Sequence, residues 1–130
     1  MAGPILIVED NEANRVLLEE ILTLGNYEVL KAVDGEEGVR LAREQQPRLI
    51  LMDIQLPGLD GISATQVLKG DSLTRHIPVV AISSYAYERE KELFRAAGGD
   101  AYLTKPIDVD VVLQTVARFL EGEASGGKNA

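Results

Sequence analysis

Short apolar runs rich in valine and isoleucine alternate along this chain with longer stretches whose apolar residues recur at helical spacing. That alternation predicts five strand–helix units, folded as a doubly wound α/β domain: a five-stranded parallel sheet with helices on both faces. The first strand is predicted over Pro4 to Val8 and is followed by a helix from about Glu12 to Leu24. In that helix Val16, Leu17, Ile21 and Leu24 share a face, Asn11 is a cap and Gly25 a stop. Tyr27 to Val33 reads as the second strand. Asp34, with Glu37 three residues on, starts a helix that reaches about Gln46, where Pro47 blocks continuation. Arg48 to Asp53 is almost wholly apolar before its carboxylate, as expected of a central strand covered on both faces. A turn-rich loop from Leu56 to Gly61 leads to a shorter helix, Ile62 to about Lys69. Ile77 to Ser83 is the fourth strand, Tyr85 to Ala97 a charged helix stopped by Gly98 and Gly99, and Ala101 to Leu103 the fifth strand. Asp108 caps a last helix striped by Val112, Leu113, Val116, Ala117 and Leu120, and Gly122 to Ala130 is expected to be a flexible tail. The domain is therefore placed at 1–121 and the tail at 122–130.

Four of the strands end on residues that bear chemistry: Glu9 and Asp10, Asp53, Ser83, and Lys105. In an open parallel sheet the carboxyl ends of the strands form the crevice where ligands bind, so these groups are expected along one edge. Composition narrows the chemistry further. With 130 residues there is room for one domain and none for a second catalytic one. The formal charge of −8 repels phosphate backbones and argues against direct nucleic-acid binding. Without cysteine there is no disulfide, thiolate nucleophile or zinc–thiolate site. No apolar stretch approaches the roughly 20 residues a membrane span needs, and no signal or lipidation motif is evident, so a cytoplasmic, membrane-free location is expected.

Three carboxylates brought to one edge repel each other by about 4 kcal/mol per pair at 4 Å in an effective dielectric near 20. Hard oxygen donors with no histidine or cysteine beside them suit Mg²⁺, or Mn²⁺, rather than zinc. The alternative for Glu9 and Asp10 is that they only favour the positive end of the helix that follows. Asp53 fits that alternative poorly, because it ends a buried strand far from any helix it could cap. Beside a cation its carboxylate could attack a phosphoryl group and form an acyl phosphate. Lys105 could then pair with Asp53 or the phosphoryl oxygens and Ser83 could donate to them, although singly a strand-end serine is commonly a cap and a lysine a solvated charge.

At these positions the sequence resembles the receiver domains of bacterial two-component response regulators, from about Pro4 to Leu120. Its wording is nearest the single-domain chemotaxis and DivK-type cell-cycle group. Glu9 and Asp10 look like the family's acidic pair, Asp53 like its phosphorylated aspartate, and Pro57, Asp60 and Gly61 like its proline–aspartate–glycine loop. Lys105 and Pro106 look like its lysine–proline pair, and Ser83 like its switch hydroxyl, more often threonine. The resemblance implies a flavodoxin-like fold of five strand–helix units and a phosphoacceptor, not an enzyme in the usual sense. The phosphoryl donor it implies is a histidine kinase or histidine phosphotransfer protein. It implies Mg²⁺ at Asp10, Asp53 and the backbone carbonyl of Gln55, with Glu9 acting through water, and a cis bond before Pro106. It implies further that the face of the fourth helix, fifth strand and fifth helix changes its affinity for a downstream protein. Tyr102 has two readings, the family's aromatic that turns inward with the switch or a strand aromatic packed permanently. Ser84 departs from the family's preference for alanine or glycine. Gln55 and Tyr85 occupy the variable places that tune water's access to the acyl phosphate, and Tyr85 is expected to shield the site partly.

Two other classes compete. A phosphohydrolase with an aspartate nucleophile usually carries a second acid two residues on, where this chain has Gln55. A receiver-like module that binds without phosphorylation usually lacks the acids or the lysine, and this chain keeps them all.

Overall fold

The computed structural model describes residues 3–129, and side chains through Leu120. The chain builds β1(Ile5–Val8), α1(Glu12–Leu24), β2(Val29–Ala32), α2(Gly35–Gln45), β3(Leu49–Asp53), α3(Gly61–Lys69), β4(Val79–Ser83), α4(Glu88–Ala96), β5(Ala101–Thr104) and α5(Val109–Asn129). All strand pairs are parallel and the order is β2-β1-β3-β4-β5, so β3 is the middle strand, as its unbroken apolar sequence predicted.

The period-two geometry of the strands divides one apolar vocabulary between two cores. Leu6, Val8, Ile50, Met52, Val79 and Ala81 face one side, where Ala42, Ala64, Leu68 and Phe94 of α2, α3 and α4 cover them. Ile5, Ile7, Leu49, Leu51, Val80 and Ile82 face the other, covered by Leu18, Ile21 and Leu22 of α1 and Val112, Val116 and Leu120 of α5. Burial on both faces is why β1, β3 and β4 show no polar alternation.

Local rules account for most boundaries. The Asn11 side chain accepts from the Asn14 N–H, and Gly25 closes α1. The Asp34 side chain accepts the Glu37 N–H, while the Glu37 carboxylate reaches back to the Val33 N–H instead of to Asp34 itself. Gln46 adopts a left-handed conformation, φ 49°, because the residue before Pro47 is pushed out of the helical region. Its amide then donates to the Arg43 carbonyl, which the helix end leaves open. Asp108 accepts from the Val111 N–H at the start of α5.

Several boundaries differ from expectation, β2 among them, which runs Val29–Ala32 inside the expected Tyr27 to Val33. β4 begins at Val79, two residues late, because Pro78 has no N–H for the ladder. α4 begins at Glu88 and not Tyr85, because Tyr85 bonds to Ser83 and Tyr102 at the sheet edge instead of coiling. The backbone of α5 stays helical through Asn129, past Leu120 and into the stretch expected to be a tail. Gly122, Gly126 and Gly127 weaken a helix by about 1 kcal/mol each relative to alanine but do not terminate it as proline would. The side chains from Glu121 onward, and Ala130 altogether, lie outside the described residues. Among the described residues no helix is long and apolar enough to cross a membrane.

Candidate functional site

The chain leaves β1 for β2 on one side and returns to place β3 on the other, so a topological reversal lies at the carboxyl ends of β1 and β3. Register levels the ends: Val8 pairs with Met52, Asp53 with Ile82, and Ser83 with Thr104. The residues that follow each strand therefore meet over one crevice. Below it, Gly61 brings α3 against the end of β3. A Cβ there would collide with the Asp53 carbonyl and Ile54 Cα, so only glycine permits the approach.

One carboxylate oxygen each from Glu9, Asp10 and Asp53 lies within 4.8 Å of the other two. Glu9 is 1% and Asp53 3% exposed, while Asp10 opens to solvent. Lys105 Nζ stands 3.2 Å from Glu9 Oε1 and 3.5 Å from Asp53 Oδ2, binding both acids electrostatically. The first contact is not aligned as a hydrogen bond, so the buried Glu9 Oε1 has no hydrogen-bond partner. Glu9 Oε2 accepts the Asn11 N–H at 3.1 Å, and the Arg15 guanidinium donates to the Glu9 carbonyl at 2.9 Å, which fixes the turn into α1. Asp53 Oδ1 accepts the Gln55 N–H at 3.2 Å.

One ammonium faces three carboxylates, and the imbalance falls on Asp53. Burial chiefly, then the charge of the adjacent Glu9, push its carboxyl up to about 7. Lys105 and the Gln55 N–H pull the other way without prevailing. A buried carboxylate oxygen lacking a donor, beside two more hard oxygens and no nitrogen or sulfur ligand, is a donor set that fits a small divalent cation.

The opposite wall is neutral. Ser83, fully buried, donates from Oγ to Gln55 Oε1 at 3.2 Å, and the Ser84 N–H reaches the same oxygen at 3.4 Å. The Tyr85 N–H donates to Ser83 Oγ at 3.1 Å, and the Tyr102 hydroxyl donates to the Tyr85 carbonyl at 3.0 Å. The Tyr85 and Tyr87 rings stack with centroids 5.3 Å apart. Tyr102 is half-buried, edge-on to Phe94 at 5.9 Å. Lys105–Pro106 is a cis peptide.

Glu9, Asp10, Asp53 and Lys105 thus converge, with Ser83, Ser84, Tyr85 and Gln55 beside them, while Asp60 caps α3 instead. Sequence reasoning missed two things: the Gln55 side chain as acceptor for the neighbouring wall, and Arg15 as the clamp on the Glu9 carbonyl. Neither leaves a signal in sequence, since Gln55 and Ser83 are 28 positions apart and nothing local pairs them.

Residues 5–117 match the family model for the response regulator receiver domain. The chain belongs to the response regulator receiver family. This receiver is 42% identical over 120 residues to the polar-differentiation response regulator DivK of Brucella anthropi, covering 92% of this chain and 98% of that one. Its fold superposes on the receiver domain of the sensor histidine kinase PA1611 from Pseudomonas aeruginosa PAO1 with a TM-score of 0.84 and 34% identity, over 92% and 98% of the two chains. That neighbour was crystallised with a magnesium ion coordinated in its active-site cleft. A CheY-like receiver domain protein from Methanospirillum hungatei JF-1 superposes with a TM-score of 0.89 at 26% identity, over 97% and 99% of the chains. A receiver of this kind is a component of two-component signalling and a switch more than an enzyme.

Proposed function

We propose that this receiver accepts a phosphoryl group on Asp53 from the phosphohistidine of a kinase or phosphotransfer protein, in a Mg²⁺-dependent reaction, and thereby switches its protein contacts. The observation that carries this is the buried Asp53 carboxylate with Glu9, Asp10 and Lys105 gathered around it. In the transfer an Asp53 carboxylate oxygen forms the new bond to phosphorus as the phosphorus–nitrogen bond to the donor imidazole breaks, and the imidazole leaves with the electron pair. Asp10, Asp53 and the Gln55 backbone carbonyl would hold Mg²⁺, with Glu9 through water. When bound, the ion supplies positive charge that lets the carboxylate and the phosphoryl oxygens approach each other.

Lys105, already between Glu9 and Asp53, is placed to pair with the phosphoryl oxygens, and Ser83 to donate to them. Tyr85, stacked on Tyr87 beside Ser83, partly shields the acyl phosphate from water. Slow hydrolysis of that acyl phosphate would be the only turnover, as Asp53 lacks the second acid a hydrolase places where Gln55 stands. The downstream face is assigned to α4, β5 and α5; between β5 and α5 a groove of about 210 Å³ is walled by Tyr102, Thr104, Ile107 and Val111. With phosphohistidine as donor, a cytoplasmic location follows, since the kinase draws on cytoplasmic ATP.

Incubation with acetyl phosphate tests the assignment. Intact mass is expected to show one added phosphoryl group in wild type with Mg²⁺, none in chelator and none in Asp53→Asn. Labelling retained by Asp53→Asn would place the acceptor elsewhere.

A further inference from the structure

The Gln55 side chain lies beside the charged cluster, and its oxygen takes two donors of the neutral wall, the Ser83 hydroxyl and the Ser84 N–H. A serine hydroxyl has one proton to give and serves one acceptor at a time. Ser83 is fully buried, so its proton has no water to turn to, and any oxygen group on Asp53 that needs it must take it from Gln55. We propose that the Gln55 amide oxygen is an internal stand-in for a phosphoryl oxygen, a latch that holds Ser83 and Ser84 in the unmodified state and must be displaced when an anion binds Asp53. This inference rests on the phosphoacceptor role proposed above.

Three features support it. Gln55 sits two residues beyond Asp53, so its side chain and a group on Asp53 compete over the same short distance. Gln55 is exposed, so once displaced its amide is satisfied by water at little cost, whereas the buried Ser83 needs a replacement acceptor. The Ser83 hydroxyl also accepts from the Tyr85 N–H, whose residue holds the Tyr102 hydroxyl through its carbonyl. Shifting Ser83 off Gln55 therefore moves the anchor of the 84–87 loop, and with it the tether on Tyr102. The latch sets how much binding energy an anion must bring before that loop is released.

Gln55→Met tests this, because methionine keeps the length and removes the acceptor. Beryllofluoride, a tetrahedral phosphoryl mimic, is titrated at saturating Mg²⁺ and followed by tyrosine fluorescence; the protein has four tyrosines and no tryptophan. The variant is expected to bind beryllofluoride about threefold to tenfold more tightly, the range for one or two hydrogen bonds removed from the competing state. Its affinity for Mg²⁺ alone is measured in parallel, so that each protein is compared at its own saturating Mg²⁺. In a Ser83→Ala background the gain should shrink, because only the Ser84 N–H remains to be freed. Equal or weaker beryllofluoride binding by Gln55→Met, or an undiminished gain in the Ser83→Ala background, overturns the latch. Failure of wild type to bind beryllofluoride with Mg²⁺ brings down the phosphoacceptor role, and the latch with it.

Discussion

Asp53 is an acid kept where its charge is poorly solvated, and the sign of that penalty can be measured. Its carboxyl ionises near 7 in the fold against 3.8 when free, so between those values the folded state holds a proton the unfolded chain has lost. Stability from this group is intact below about pH 4, falls as pH rises toward 7, and stays reduced above that. The loss is on the order of 2 kcal/mol once local relaxation and solvent screening are allowed for. Urea unfolding in chelator is expected to give a lower midpoint at pH 8 than at pH 5.5, and Asp53→Asn should remove most of that difference while unfolding later than wild type at pH 8. An equal pH slope in the variant would assign the penalty to other groups. The acids and the lysine were legible from sequence because each follows directly on an apolar strand. Gln55 was legible only as a position, because a side-chain acceptor is defined by what packs across from it.

Among the elements, the junction of β3 and α3 has the least freedom. The Asp53 carbonyl lies against the Gly61 Cα, and the Asp60 side chain caps α3 by accepting the Ser63 N–H at 2.8 Å, so the loop's length and its glycine are set together. Gly61→Ala is expected to lower unfolding free energy by about 3 kcal/mol, since the methyl displaces backbone and not a yielding side chain. Chemical denaturation reads this directly, and a loss under about 0.5 kcal/mol would mean the loop yields freely. Helix ends set by a side-chain cap or a glycine, such as Asn11 and Gly25, could be placed from sequence to the residue. The start of α4 could not, because Tyr85 has its N–H bound to Ser83 and its carbonyl to Tyr102, contacts made across the sheet and not along the chain. The reach of α5 was missed for a simpler reason: glycine weakens a helix without marking its end.

Across the molecule, the fold was readable because both sheet faces are buried, which writes β1, β3 and β4 as unbroken apolar runs. The partner was not readable, since the outer surfaces carry no comparable regularity. A receiver with a net charge of −8 and three of its acids at one crevice should gain from a divalent cation well beyond the effect of ionic strength. Mg²⁺ at about tenfold its dissociation constant is expected to add about 1.4 kcal/mol, raising the melting temperature, whereas NaCl of matched ionic strength should not reproduce the rise. Asp10→Asn should lose most of the increment. An equal response to both salts would reduce the cluster to general screening.

The shortage of positive charge around Glu9 and Asp53 has an evolutionary corollary. Selection for heat resistance alone, in the absence of metal, would find its easiest gains by neutralising these acids and would trade away signalling first.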